Sequence, residues 1–292
     1  MQSELPPELK TEMTQDANRP DAIALIDAHV HIHDSVDVAE FLDRAAEQRD
    51  AAARQLGLSA AVPGTLMLTE SEGAAAYARL AAQAGRRVGR WMVQGTDEAE
   101  ALRLQTESAG PLVVVAGRQV VTAERLELLA LGTLATFRDG QPVRSVIEQV
   151  HDASALAVLP WGFGKWVGRR GKMVQSLLHA PEASRLFLGD NGGRPEIGPE
   201  PALFGVARKR GTPILPGSDP LPLADQVRRV LGYGFVLDVD VTGDRPAAAI
   251  KRRLQTDRRQ PRVFGRRTAF ADFVRLQLAM QWHKHRPARS AT

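Results

Sequence analysis

Short apolar runs alternate with helical stretches along most of this chain, which is the pattern of parallel β/α units. Residues 22–29 read as the first strand, an apolar run through Ile23, Leu25 and Ile26 that ends in polar residues. Residues 38–56 read as a helix, with Asp37 at the capping position and Phe41, Leu42 and Ala45 on one face. Further strands are expected at 60–68, 88–93, 112–121, 129–137, 156–160, 186–188, 213–215 and 235–239. Helices are expected over 73–84, 142–153, 201–210 and 221–231, Pro142 suiting a first turn. A last helix over 268–283 carries Phe270, Phe273, Leu276, Leu278 and Met280, enough apolar surface to dock on the rest. There is no internal repeat.

Composition narrows the class without choosing the chemistry. The 292 residues, 43% hydrophobic and 25% charged, suit one barrel-sized domain or two small ones. Cysteine is absent, which excludes disulfides, thiolate zinc sites and a cysteine nucleophile. A metal would therefore be held by His, Asp, Glu, backbone or water. Residues 1–21 mix Glu4, Glu8, Glu12 and Asp16 with Lys10 and hold no apolar core, so they read as a loose N-terminus rather than a signal or anchor. No apolar run approaches the ~20 residues of a membrane span, and a cytoplasmic protein is expected. Charge is uneven: residues 251–292 hold 12 Lys and Arg against Asp257 and Asp272, a local +10, leaving −6 for the rest of a chain of net +4. The expected division is thus a core over 22–250 and a basic extension over 251–292. That extension suits nucleic acid or an acidic partner, or is a solvated arginine-rich helix.

In a strand-helix series, the residues that follow each strand gather on one face, where active sites form. His29 and His31, one residue apart on a strand, point to the same side and can reach one ion. Asp27 shares their parity and could orient one of them through its second ring nitrogen. The plainer alternative is a hydrogen-bonded pair without metal. Asp219, in Gly217-Ser-Asp219 after the strand at 213–215, can ligate a metal or accept a proton, or else cap the helix beyond Pro220. Glu70, after the second strand, and Asp190, after the strand at 186–188, are further candidate ligands. The stretch from Trp161 to Lys172 interleaves Lys165, Arg169, Arg170 and Lys172 with glycines, suiting an anionic ligand, or a solvated lid. The segment Asp190-Asn-Gly-Gly-Arg194 is turn chemistry by composition, and its position leaves Arg194 as a candidate second anion clamp.

With these pieces placed, the chain from about residue 24 to residue 239 resembles the polymerase and histidinol phosphatase (PHP) superfamily of metal-dependent phosphoesterases. Asp27-Ala-His-Val-His31 looks like the family's first motif, and Leu68-Thr-Glu-Ser71 sits where the family has Thr-Asp-His. Gly117-Arg-Gln119, followed by Glu127 to Gly132, resembles its Gly-x-Glu strand. The segment from Val146 through His151 to Pro160 is similar to the helix and strand before a His-Pro pair. Gly217-Ser-Asp219 matches the start of Gly-Ser-Asp-x-His. The departures are Glu70 for Asp, Ser71 for His, Gln119 for the bridging Glu, Trp161 for the His of His-Pro, and Leu221 for the last His.

The resemblance implies a PHP-like distorted (β/α)7 TIM-type barrel with a basic C-terminal helical extension. It implies a divergent hydrolase, acting on a small, phosphate-bearing anion with a single divalent Zn, Mn or Fe ion. His29, His31 and Asp219 would hold that ion, joined by Glu70 and Asp190 as further candidates, and Asp219 and Glu70 would be the catalytic carboxylates. Lys165, Arg169, Arg170 and Arg194 would neutralise the substrate. Two rivals stay open. One is a catalytically silent PHP-like domain that binds an anionic ligand or partner. The other is an amidohydrolase-type enzyme, which shares the Asp-x-His-x-His opening but normally uses later histidines not evident here.

Overall fold

The structure is a computed structural model that describes residues 22–285. The expected loose segment 1–21 and residues 286–292 of the basic tail lie outside the described residues. Among the described residues the strands are, in chain order, β1 (Ile23–Val30), β2 (Gly64–Leu68), β3 (Arg87–Val88), β4 (Trp91–Gly95), β5 (Ala101–Thr106), β6 (Ala109–Val115), β7 (Gly117–Val121), β8 (Glu127–Leu131), β9 (Leu156–Pro160), β10 (Leu186–Asn191), β11 (Ile214–Gly217), β12 (Tyr233–Asp238) and β13 (Arg262–Gly265). The helices are α1 (Val38–Leu56), α2 (Ala76–Ala81), α3 (Val143–Asp152), α4 (Gly168–His179), α5 (Ala202–Lys209), α6 (Pro246–Thr256) and α7 (Phe270–His285).

Local chemistry explains the best-defined of them. The Asp37 carboxylate accepts the Glu40 amide (2.9 Å) to open α1, and Gly57, at φ 70°, closes it in the left-handed region. Between these caps, Phe41, Leu42, Ala45, Ala52 and Ala53 are buried on one face. In β1, Ala24, Ile26 and Ala28 enter one apolar cluster while Leu25 and Val30 enter another, so the strand is buried on both sides.

The expected TIM-type barrel is not what forms. The strands make two mixed sheets, one of eight in the order β13-β12-β1-β2-β6-β5-β4-β3 and one of five in the order β11-β10-β9-β8-β7, and neither closes on itself. β1, β2 and β6 run parallel, as do β9, β10 and β11. The rest is antiparallel: β12 against β1, the β3–β6 meander, and β7 and β8. Between the sheets lies a core that includes Ile26, Met67, Val113, Leu129, Val158, Phe187, Leu215 and Phe235. α6 adds Ala247, Ile250 and Leu254 to it, so the charge boundary at residue 251 falls inside a packed helix. α3, α4 and α5 pack on the five-stranded sheet through Val146, Ile147, Leu177, Phe204 and Ala207.

Backbone hydrogen bonds past β2 and past β11 tie the two sheets together beside the site. Past β2, the Glu70 amide donates to Gly117 O (3.2 Å) and the Gln119 amide donates to Glu70 O (2.9 Å). Past β11, the Asp219 amide donates to His29 O (2.8 Å). A glycine stands at each seam because backbone meets backbone there. A Cβ on Gly117 would overlap Leu68 O, and one on Gly217 would fall 2.5 Å from the His29 amide nitrogen.

Candidate metal centre

The alternation of side chains along β1 is broken by an irregularity, since Val30 enters the same cluster as Leu25 while Ala24, Ile26 and Ala28 enter the other. The strand's pairing with β2 shifts register between Asp27 and Val30, and this separates Asp27 from the histidines that follow it. Asp27, fully buried, accepts the amides of Ser218 (2.8 Å), Leu231 (2.9 Å) and His29 (3.2 Å). It makes no bond to either imidazole, so the expectation that it orients a ligand histidine is corrected. Burial pushes its carboxyl up to about 6, against the pull of these donors.

His29 and His31 reach toward the five-stranded sheet. Their Nε2 atoms lie 3.1 Å apart, and each is 3.5 Å from Asp219 Oδ1. Among the described residues this is the one group of three His or carboxylate side chains whose ligand atoms all fall within 4.8 Å of one another. Asp219 comes from the turn after β11 and holds a left-handed φ of 48°, a region that aspartate enters more readily than most residues with a Cβ. The Asn191 amide donates to its other oxygen, Oδ2. Gln119 Oε1 lies 3.2 Å from His29 Nε2, and Thr69 Oγ1 lies 3.4 Å from His31 Nε2. Burial pushes the His31 ring down to about 3, with His29 adding to the effect, which leaves it neutral and able to offer a lone pair. Burial by itself raises the Asp219 carboxyl. The neighbouring His29 ring, the Asn191 amide and Lys165 outweigh it and hold the carboxyl below the usual range, as an anion.

This donor set fits a small divalent ion. Bonds of roughly 2.0–2.1 Å to nitrogen and oxygen in a tetrahedral shell put ligand atoms about 3.3 Å apart, and the three separations here are 3.1, 3.5 and 3.5 Å. Two imidazoles and one carboxylate leave the fourth direction for water or substrate.

The other expected ligands are engaged elsewhere. Glu70, buried, accepts the Tyr77 amide (2.7 Å) on Oε1 and pairs through Oε2 with Arg118 (2.9 Å). Asp190 takes a two-pronged bond from Arg194 (2.7 and 2.8 Å) and the Tyr233 hydroxyl (2.6 Å). The structure brings His29, His31 and Asp219 together and leaves Glu70 and Asp190 out of that group.

Above the centre lies a cavity of about 410 Å³. Of the expected anion-binding residues only Lys165 lines it, its ammonium paired with Glu127. Arg169 is exposed outside it, Arg170 donates to Gly164 O (2.7 Å), and Arg194 is buried in its pair with Asp190. Arg169, Arg170 and Lys172 stand in the first turns of α4, not on a loop. Sequence reasoning left out Glu127, Asn191 and the α7 residues Phe273, Leu276 and Gln277, all of which line the cavity. For Asn191 a signal was available: neighbours on a strand face opposite ways, so choosing Asp190 for one face puts Asn191 on the other.

No family model matches this sequence, and no curated protein sequence matches it. Among solved structures, the chain is similar to PsfC from Pseudomonas syringae PB-5123, with a TM-score of 0.52 and 14% identity over 90% of this chain and 98% of that one. At that identity, what the two share is the fold. A second, the lesion-specific endonuclease PfuEndoQ from Pyrococcus furiosus, aligns with a TM-score of 0.47 and 10% identity, over 82% of this chain and 57% of that one. This chain thus spans little more than half of the endonuclease's length.

Proposed function

We propose that the protein is a metal-dependent hydrolase of PHP-like type, acting on a phosphate ester, in which His29, His31 and Asp219 hold one divalent ion. The observation that carries this reading is the convergence of three ligand atoms, 3.1–3.5 Å apart, on the floor of a cavity at the seam of two sheets. A bound Zn, Mn or Fe ion supplies Lewis-acid polarisation of the ester and a lowered pKa for water. The chain's own residues do the rest. Asn191 turns the Asp219 carboxylate, Lys165 meets the substrate anion, and Gln119 Oε1 and Thr69 Oγ1, which face the same Nε2 atoms that would ligate the ion, stand beside the ion's position. A single ion is favoured because Glu70 and Asp190 are each held by an arginine, and because Gln119 is neutral where a second ion would need a carboxylate.

Metal analysis of protein purified without chelators is expected to find about one equivalent, lost in a His29→Ala/His31→Ala double variant. Hydrolysis of generic aryl phosphate mono- and diesters by the metal-loaded protein is expected to fall at least about a hundredfold in Asp219→Asn. Metal-free protein with an intact fold would overturn the reading. It would favour instead a domain that binds an anion without turnover, for which Gln119 at the His29 ring is the supporting observation. Metal with turnover of amides or lactones and none of phosphates would move the assignment to an amidohydrolase-type enzyme.

A further inference from the structure

The cavity over the centre is poor in positive charge. Lys165 is the one Lys or Arg among its described lining residues, and Glu127, which shares the lining, is paired with it. Most of the remaining polar wall is neutral amide, from Gln119, Asn191, Gln226 and Gln277. Imidazoles that hold a metal are neutral. The cavity's own formal charge is then one cation, Lys165, against two anions, Glu127 and Asp219. A divalent ion on His29, His31 and Asp219 turns that net −1 into +1. One substrate charge is balanced in such a site, and a second is not. Uncompensated charge is costly where the surroundings are largely protein.

We propose, on the basis of the metal-dependent reading above, that the Glu127–Lys165 pair restricts the centre to singly charged esters. The substrate class is then a phosphodiester in preference to a phosphate monoester dianion. Glu127 is the specificity-determining residue: it holds Lys165 in the cavity wall, offsets its charge, and opposes the second charge of a dianion. Diester hydrolysis adds water across one P–O bond. The water oxygen stays on phosphorus and the leaving alkoxide takes up a proton. The product is a monoester that ionises a second time, and the same imbalance expels it.

The test separates charge from shape. Full-length protein loaded with Mn is titrated calorimetrically at mildly alkaline pH with phenylphosphonate, a dianion there, and with its monomethyl ester, a monoanion. The metal content of the same samples is measured alongside. The monoanion is expected to bind at least about tenfold more tightly, and Glu127→Gln to move the ratio at least about tenfold toward the dianion. Glu127→Asp, which keeps the charge, is expected to retain the wild-type ratio. Should Glu127→Gln fail to fold, Lys165→Met serves: it removes the site's net positive charge, and weaker binding of the monoanion is expected. Metal bound with no preference for the monoanion, or a ratio unmoved by Glu127→Gln, overturns this inference and leaves the hydrolase reading standing. No metal uptake overturns both, since the cavity then stays at −1 and repels either ligand.

Discussion

Asp27 and His29 stand two residues apart on one strand and do different work. Asp27 spends both carboxylate oxygens on three backbone amides, two of them from segments about 190 and 204 residues away in sequence. It fixes the Ser218 turn that presents Asp219, and the backbone at Leu231, whose φ is 57°. Asp27→Ala would leave those three amides buried without an acceptor. It is expected to cost about 3–5 kcal/mol, read as a lower urea midpoint with an unchanged slope. A variant as stable as the parent would show that water or a neighbour replaces the carboxylate. The Asp-x-His-x-His pattern was legible as a cluster, because two histidines of one parity after an apolar strand share a direction. The role of Asp27 was not legible. It depends on a register shift between β1 and β2, which is a property of two strands and leaves no mark in one.

At the scale of elements, periodicity located most helices and strands and failed where it had no signal to use. α1 and β9 fall where the apolar spacing puts them, at Val38–Leu56 and Leu156–Pro160. Residues 112–121 read as one apolar strand but form the end of β6 and all of β7, which belong to different sheets. The break comes at Ala116, followed by Gly117. α4 was missed because its first residues, Gly168 to Lys172, are glycine and cations with no apolar stripe. Residues 221–231 make only a 3-10 turn over Ala224–Arg229, since the bonds there run from Gln226 to Leu223 and from Val230 to Val227. The terminal helix docks through two of the residues expected to do so, Phe273 and Leu276, with Phe273 edge-on to Phe163 at 5.2 Å, whereas Phe270 and Leu278 are exposed. It forms one wall of the cavity. Leu276→Asp is therefore expected to loosen α7 alone. Amide exchange over residues 270–278 should quicken at least about tenfold while β1 stays protected. Equal loss of protection in β1 would mean that the helix is part of the global core.

Taken as a whole molecule, the parallel β/α reading erred because apolar runs report burial and not strand direction. The β3–β6 meander and the antiparallel placement of β12 carry the same runs that parallel strands would. The excess of positive charge in the last segment also has structural uses invisible in a count. Arg258 lies over the Phe187 ring at 4.2 Å and donates to Leu186 O (2.7 Å), and Arg253 pairs with Asp257. Among the described residues no helix is long and apolar enough to cross a membrane. The two sheets are also joined by the triad of Arg194, Asp190 and Tyr233, Asp190 standing on β10 of one sheet and Tyr233 on β12 of the other. Because Arg194 and Asp190 are both buried, Asp190→Ala would strand a guanidinium in the interior and is expected to cost about 3–5 kcal/mol. Tyr233→Phe removes one donor to a charged acceptor and should cost about 1.5–3 kcal/mol. If the triad couples the sheets and does not hold the metal, both variants should lower the urea midpoint in that order while metal content stays at the parent's level. Loss of metal from folded Asp190→Ala protein would instead return Asp190 to the ligand set.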